Sequence, residues 1–226
     1  MIYLYALLDE TPAAPLGEGL AGEPLRLVRH GGLLAAVGDR PSPPSPGVHA
    51  FSEHDAVVRR LAGMVSAVLP ARFGEWFPSE EALADRLAPR AGELARALDL
   101  VRGCVQMTLR VFGEPSAPAA SEPETDASRG PGTRYLAQRR QEHQQARSLP
   151  EIEPLRELLE PLVRAERTER HTAAPLLGTA YHLVPRDRTA DYLAALEEGR
   201  ARLPDHRVQA SGPWPPYAFA PGAAAP

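Results

Sequence analysis

Ile2-Tyr3-Leu4-Tyr5-Ala6-Leu7-Leu8 opens the chain as a short apolar run with a β-branched residue and two aromatics. Such a run reads as a buried strand. It is bounded by Asp9 and Glu10 and by a Gly/Pro-rich loop over 11–24. Next come Leu25-Arg26-Leu27-Val28-Arg29 and Leu33-Leu34-Ala35-Ala36-Val37, flanking His30-Gly31-Gly32. Glycines supply the positive φ of a tight hairpin, so the two runs are expected to pair. Beyond the proline-rich stretch 40–47, Ser52 with Asp55 reads as a capping box. It opens a helix with Val57, Leu61, Met64, Val65 and Val68 on one face. A strand over 69–77 with a glycine interruption follows. Ser79 then caps a second helix with the stripe Leu83, Leu87, Leu94 and Leu98, divided or kinked at Pro89.

Cys104-Val105-Gln106-Met107-Thr108-Leu109-Arg110-Val111-Phe112 alternates and is expected to close the domain as a strand. The order β-ββ-α-β-α-β predicts an α+β fold, a mostly antiparallel sheet with helices on one face, over residues 1–112. Residues 113–131, rich in Pro, Ser, Ala and acids, read as a linker too polar to build a core. A second α+β domain is expected over 132–219. It starts with a polar helix over 134–147 anchored by Tyr135 and Leu136. The amphipathic stripe Ile152, Leu155, Leu158, Leu159, Leu162 and Val163 follows, with a kink at Pro161. A strand over 176–184, a helix lined by Tyr192, Leu196 and Leu203, and a last strand from Val208 complete it. The Ala/Pro-rich tail 220–226 is expected to be disordered.

Composition sets limits on function. The chain has 226 residues, enough for one large or two small domains, and its net charge of −4 has no basic run. A phosphate-tracking surface, and so a nucleic-acid partner, is not expected. All 25 basic residues are Arg, read as codon usage rather than function. Cys104 is the one cysteine and lies in an apolar run, where a small core residue is expected rather than a reactive thiol. The apolar start lacks a positive n-region and meets acids at once, so neither a signal peptide nor a membrane span is read, and a cytoplasmic protein is expected.

His49, Glu53, His54 and Asp55 cluster, but a five-residue His-to-His spacing does not stack on a helix face as HExxH does. His143, His171, His182 and His206 stand alone. No G-x-S-x-G elbow, P-loop or G-x-G-x-x-G is present. The Glu/Arg-rich stretch 151–170 reads as a solvated helix surface with i,i+4 pairs. No catalytic residue, cofactor site or metal site is assigned.

Two segments stand out instead. In Pro70-Ala71-Arg72-Phe73-Gly74, an Arg among apolar neighbours needs a carboxylate, carbonyls or an exposed face; it is either a structural anchor or a recognition residue. In Ser211-Gly212-Pro213-Trp214-Pro215-Pro216-Tyr217-Ala218-Phe219, three prolines in four positions stiffen a ribbon carrying Trp214 and Tyr217. Such a ribbon docks either on its own domain or on a partner.

These segments, with Met1-Ile2-Tyr3-Leu4-Tyr5, Leu69-Pro70-Ala71-Arg72-Phe73-Gly74 and Tyr135-Leu136-Ala137-Gln138-Arg139 in the same order, resemble the gas vesicle protein F/L family over nearly the whole chain. The resemblance implies two α+β domains, the C-terminal one ferredoxin-like. It also implies a non-enzymatic, cytoplasmic role at gas vesicles, binding the hydrophobic shell protein and other accessory proteins as adaptor or chaperone. Arg72, Phe73, Trp76, Trp214 and Tyr217 are the candidate contact residues. The alternatives are a minor structural component of the vesicle and a small-ligand enzyme or sensor, whose support would be a deep polar pocket near His54, Arg72 or His182.

Overall fold

The computed structural model describes residues 1–114, 149–171 and 174–222. The helix expected over 134–147 and most of the linker lie outside the described residues. Two compact units form, Met1–Gln106 with the segment from Gly212, and Met107–Ser211. These limits differ from the sequence boundaries at 112 and 219, because the C-terminal ribbon counts with the first unit. Residues 220–222 also depart from a disordered tail, since Ala220 is buried.

The first unit is built on β1 (Ile2–Leu8), β2 (Leu25–His30), β3 (Leu33–Asp39), β4 (Val68–Pro70) and β5 (Trp76–Phe77), in the order β2-β3-β1-β4 with β5 also on β1. The β2–β3 hairpin turns on Gly31 and Gly32, with φ of 55° and 82°; two positive-φ residues match the twist of the flanking strands. A bulge between Leu4 and Ala6 shifts the register of β1 against β3. Tyr5 is the extra residue, so Tyr3 and Tyr5 enter one core with Ala6, Leu8, Val57 and Leu61.

Those last two residues belong to α1 (Val48–Ala62). Leu4 and Leu7 face the other way, lining a small cavity with Leu87 of α2 (Glu80–Leu87) and Leu94 of α3 (Ala91–Val101). Helices therefore cover both faces of this sheet, not one, which is why every residue of β1 is buried. The α+β class itself holds.

Three local readings change. α1 starts at Val48 on Gly47, with no side-chain cap; Phe51 N–H donates to Gly47 O at 2.9 Å, adding a turn ahead of Ser52. The strand expected over 69–77 is two short strands with a loop between them. Ser79 does cap α2, accepting from Ala82 N–H at 3.3 Å, and Pro89 sits in the 3-10 turn Ala88–Arg90 that separates α2 from α3.

The second sheet contains β6 (Cys104–Phe112), β7 (Ala165–Arg170), β8 (Leu176–Pro185) and β9 (Arg207–Trp214), ordered β7-β8-β6-β9. With α4 (Glu153–Leu159) and α5 (Thr189–Gly199), the described elements run β6-α4-β7-β8-α5-β9, the split βαβ pattern of a ferredoxin-like fold. Met107, Leu109 and Val111 pack against Leu155, Leu159, Tyr192 and Leu196 in its core. Each such apolar side chain contributes about 1.5–3 kcal/mol by leaving water. β6 thus belongs to this sheet rather than closing the first. Residues 165–170, read above as helix surface, form an edge strand through antiparallel pairing with β8. Pro213 is accommodated in β9 since β9 is also an edge.

Candidate functional site

Both ends of the Ala71–Glu75 loop are fastened to β1. Ala71 N–H donates to Tyr5 O and Leu4 N–H to Glu75 O, each at 2.9 Å, so only Arg72-Phe73-Gly74 projects. Gly74 has φ of 83°, a left-handed conformation that favours glycine, and its N–H donates to the Tyr3 hydroxyl at 3.0 Å. Tyr3 Oη lies 3.0 Å from His54 Nδ1, and His54 Nε2 lies 3.2 Å from Ala71 O. A carbonyl only accepts, so Nε2 carries the proton and Nδ1 accepts from Tyr3. The relay runs Gly74 N–H to Tyr3, Tyr3 O–H to His54, and His54 N–H to Ala71, bracing the loop at both ends. Burial holds the His54 imidazole below the usual histidine range, against the opposing bond to Ala71, and pushes the Tyr3 hydroxyl up to about 12. Both are neutral near pH 7, and His54, at 3% exposure, has each nitrogen engaged.

Phe73 stacks edge-on against Phe51 at 4.4 Å and also meets His54 and Tyr3. Phe51 remains 48% exposed, and Val48, one turn earlier on α1, is 88% exposed. Trp76 pairs with Tyr3 in register and is 44% exposed. Cross-strand partners share a face, so Trp76 lies on the α1 side of the sheet.

The C-terminal ribbon closes on α1 as well. The Arg59 guanidinium lies over the Trp214 ring at 4.2 Å from its centroid. Arg59 Nε donates to Asp55 Oδ2 at 2.5 Å, and the Tyr217 hydroxyl donates to Asp55 Oδ1 at 3.0 Å. Burial, and then the Asp55 charge, raise the Tyr217 pKa strongly. Ala218 N–H donates to Gln106 Oε1 at 2.8 Å, while Pro215, Pro216 and Phe219 are buried. The Arg72 guanidinium donates to Gly222 O. Three of the five residues singled out in the sequence therefore gather near α1: Phe73 through Phe51 and His54, and Trp214 and Tyr217 through Arg59 and Asp55; Arg72 reaches Gly222 of the C-terminal segment instead. Trp76 stands apart on β5.

Sequence reasoning missed Phe51 and the role of His54. Tyr3 and Tyr5 carried a usable signal, because a hydroxyl on a buried strand requires a partner. Tyr5 finds Glu23 at 2.5 Å and accepts from Leu20 N–H, fixing the 11–24 loop. Burial raises the Glu23 carboxyl pKa, but bonds from Tyr5 and backbone N–H groups outweigh it and hold the carboxyl below its usual range.

In the second unit, His182 lies between the Tyr192 hydroxyl at 2.8 Å and Glu166 Oε2 at 2.9 Å. It borders a cavity of about 140 Å³ lined mainly by Ile152, Leu155, Leu159 and Val163, below the few hundred Å³ of an ordinary ligand pocket. Among the described residues no group of three or more His, Cys, Asp or Glu is placed to hold a metal. No described helix is long and apolar enough to cross a membrane.

The profile described as "Gas vesicle synthesis protein GvpL/GvpF" matches residues 1–221. Among curated proteins, the chain is 28% identical over 230 residues to gas vesicle protein L of Streptomyces sp. (strain CB03234), covering 90% of this chain and 85% of that protein. It is 27% identical over 235 residues to gas vesicle protein F of the same organism, covering 96% and 98%. The fold is similar to the crystal structure of GvpF from Anabaena sp. PCC7120, with TM-score 0.73, 14% identity and 99% and 97% coverage. It is also similar to GvpF from Microcystis aeruginosa, with TM-score 0.72, 16% identity and 97% and 98% coverage. With the profile spanning both units and the fold shared, the chain belongs to the GvpL/GvpF family of gas vesicle proteins.

Proposed function

We propose that this protein is a non-enzymatic accessory factor of gas vesicle assembly that works in the cytoplasm. In this reading it binds the hydrophobic shell protein and other accessory proteins, as an adaptor or chaperone. The observation that carries this reading is the family match over residues 1–221. Chemistry at the first unit supports it: Phe51, Val48 and Trp76 leave apolar surface in water beside the braced Phe73 loop. A shell subunit with large apolar faces aggregates unless something covers it before polymerisation. An aromatic patch on a rigid support provides such cover at low entropic cost. Arg72, Phe73 and Trp76 are the proposed contacts, with Phe51 added. Trp214 and Tyr217 serve the reading by holding α1 in place.

The test is co-purification with the shell protein from cells expressing both, tagged in either direction. Retention in both directions is expected, and no retention in either would exclude direct binding. The rival ligand-binding reading would draw on the cavity beside His182, which is small and mostly apolar rather than deep and polar.

A further inference from the structure

β7 is an edge of the four-stranded sheet, and among the described strands it pairs with β8 alone. His171 N–H donates to Leu177 O at 2.8 Å, and these two residues are opposite each other in the register that matches Arg170 with Gly178. Antiparallel pairs alternate between bonded and non-bonded, so Glu169, Arg167 and Ala165 also direct their backbone groups at β8. Glu166, Thr168 and Arg170 therefore direct theirs outward.

Around Thr168 the sequence is Glu166-Arg167-Thr168-Glu169-Arg170. An antiparallel copy of the same strand, centred on Thr168, sets Glu166 against Arg170 and Arg167 against Glu169, twice each. That register also puts all three outward-facing residues in bonded pairs. Moving it two residues either way sets Arg167 against Arg167 or Glu169 against Glu169, which is repulsive. Hydrogen-bond parity and charge thus select the same alignment.

We infer that β7 is a self-complementary docking edge, through which two copies of this chain join their ferredoxin-like sheets about a two-fold axis at Thr168. Natural sheet edges are commonly blocked by charges that repel a second strand; here the signs alternate, so a second copy is attracted. The contacts of Glu166, Arg170 and Glu169 are compatible with this. Glu166 meets His182 through one oxygen, Arg170 meets Glu151 through Nη2, and Glu169 meets the Tyr181 hydroxyl. A carboxylate has a second oxygen, and a guanidinium has five N–H donors to share. The interface is isologous, so each substitution acts twice. A short strand buries less surface than a standard interface, so the dimer is weak and concentration-dependent.

The test is sedimentation equilibrium of the full chain over a wide concentration series at low salt, with circular dichroism to verify folding. Wild type is expected to self-associate. Arg167→Glu alone and Glu169→Arg alone each set like charges opposite one another and are expected to weaken the dimer about tenfold or more. An equimolar mixture of the two variants restores both pairs and is expected to form a heterodimer of near wild-type affinity. A wild-type chain that stays monomeric throughout, a dimer indifferent to both variants, or a mixture that fails to associate would each overturn the inference.

Discussion

The Tyr217 hydroxyl donates to Asp55 Oδ1 at 3.0 Å, joining residues 162 positions apart. Asp55 is shared, since Arg59 donates to its other oxygen and lies over Trp214. One carboxylate on α1 thus ties down both Trp214 and Tyr217. Tyr217→Phe keeps the ring and removes the bond, and it is expected to destabilise the protein by about 1–2 kcal/mol. Asp55→Asn should cost a similar amount. In a double-mutant cycle followed by urea denaturation the two should be non-additive by about 0.5 kcal/mol or more. Strict additivity would mean that the contact is not made in solution.

Trp214 separates clamping from recognition. It is half-buried and covered by a guanidinium, so Trp214→Ala should lose about 1–3 kcal/mol of stability. For a chain of this length each kcal/mol lowers Tm by about 2–4 °C. The folded fraction should retain the shell protein as well as wild type does. Weaker retention at unchanged Tm would instead make Trp214 a contact residue.

The opposite pattern is expected for Phe51 and Trp76, both nearly half exposed. Phe51→Ser with Trp76→Ser should alter stability by no more than about 1 kcal/mol. It should reduce shell-protein retention severalfold in the co-purification assay. Undiminished retention would move the contact surface away from α1 and β5.

His54 sets a pH dependence. Its folded pKa is lowered by burial, so the folded state favours the neutral ring. The unfolded chain takes up that proton as pH drops past about 6.5. The stability tied to His54 is therefore complete above that value and is lost as pH falls toward the lower folded pKa. Glu23 and Glu166 also have lowered pKa values, but an ordinary glutamate titrates near about 4.3, so they act in a more acidic window. Between pH 7 and 5, wild-type Tm should fall more steeply than that of His54→Gln, although the variant is less stable at pH 7. Parallel slopes would refute the assignment.

Gly74 tests the loop brace without altering a side-chain contact. A Cβ there would meet nothing within 4 Å, so the cost of Gly74→Ala is conformational only. About 1–2 kcal/mol is expected for an L-residue held at positive φ. A neutral effect would show that the loop relaxes to another conformation.

Where local chemistry decides the structure, the sequence was readable. The apolar run of β1, the Gly-Gly hairpin, the Ser79 cap and the break at Pro89 each follow from neighbouring residues. Non-local decisions were not. Whether Leu4 and Leu7 face a helix depends on α2 and α3 folding back. Whether β6 joins the first or second sheet depends on β8 and β9. The edge strand β7 resembled a solvated helix, since Glu and Arg suit both and only strand pairing decides. At the candidate site, Arg72 and Phe73 were visible as an anomalous pair, and Trp214 and Tyr217 as a stiff ribbon. That Phe73, Trp214 and Tyr217 meet near α1, and that Arg72 reaches Gly222, is set by contacts between residues far apart in sequence, which no local pattern encodes.

The first unit is assembled from two separate segments, with Met107–Ser211 synthesised between them. Phe219, 1% exposed, belongs to its interior. On the ribosome, residues 1–106 emerge without the segment that completes them, and the ferredoxin-like sheet begins to form before that segment arrives. The first unit is thus the earlier to be made and the later to be finished. Because domains generally fold as units during synthesis, its apolar surface stays open to chaperones, or to an early partner, until the segment from Gly212 has been made.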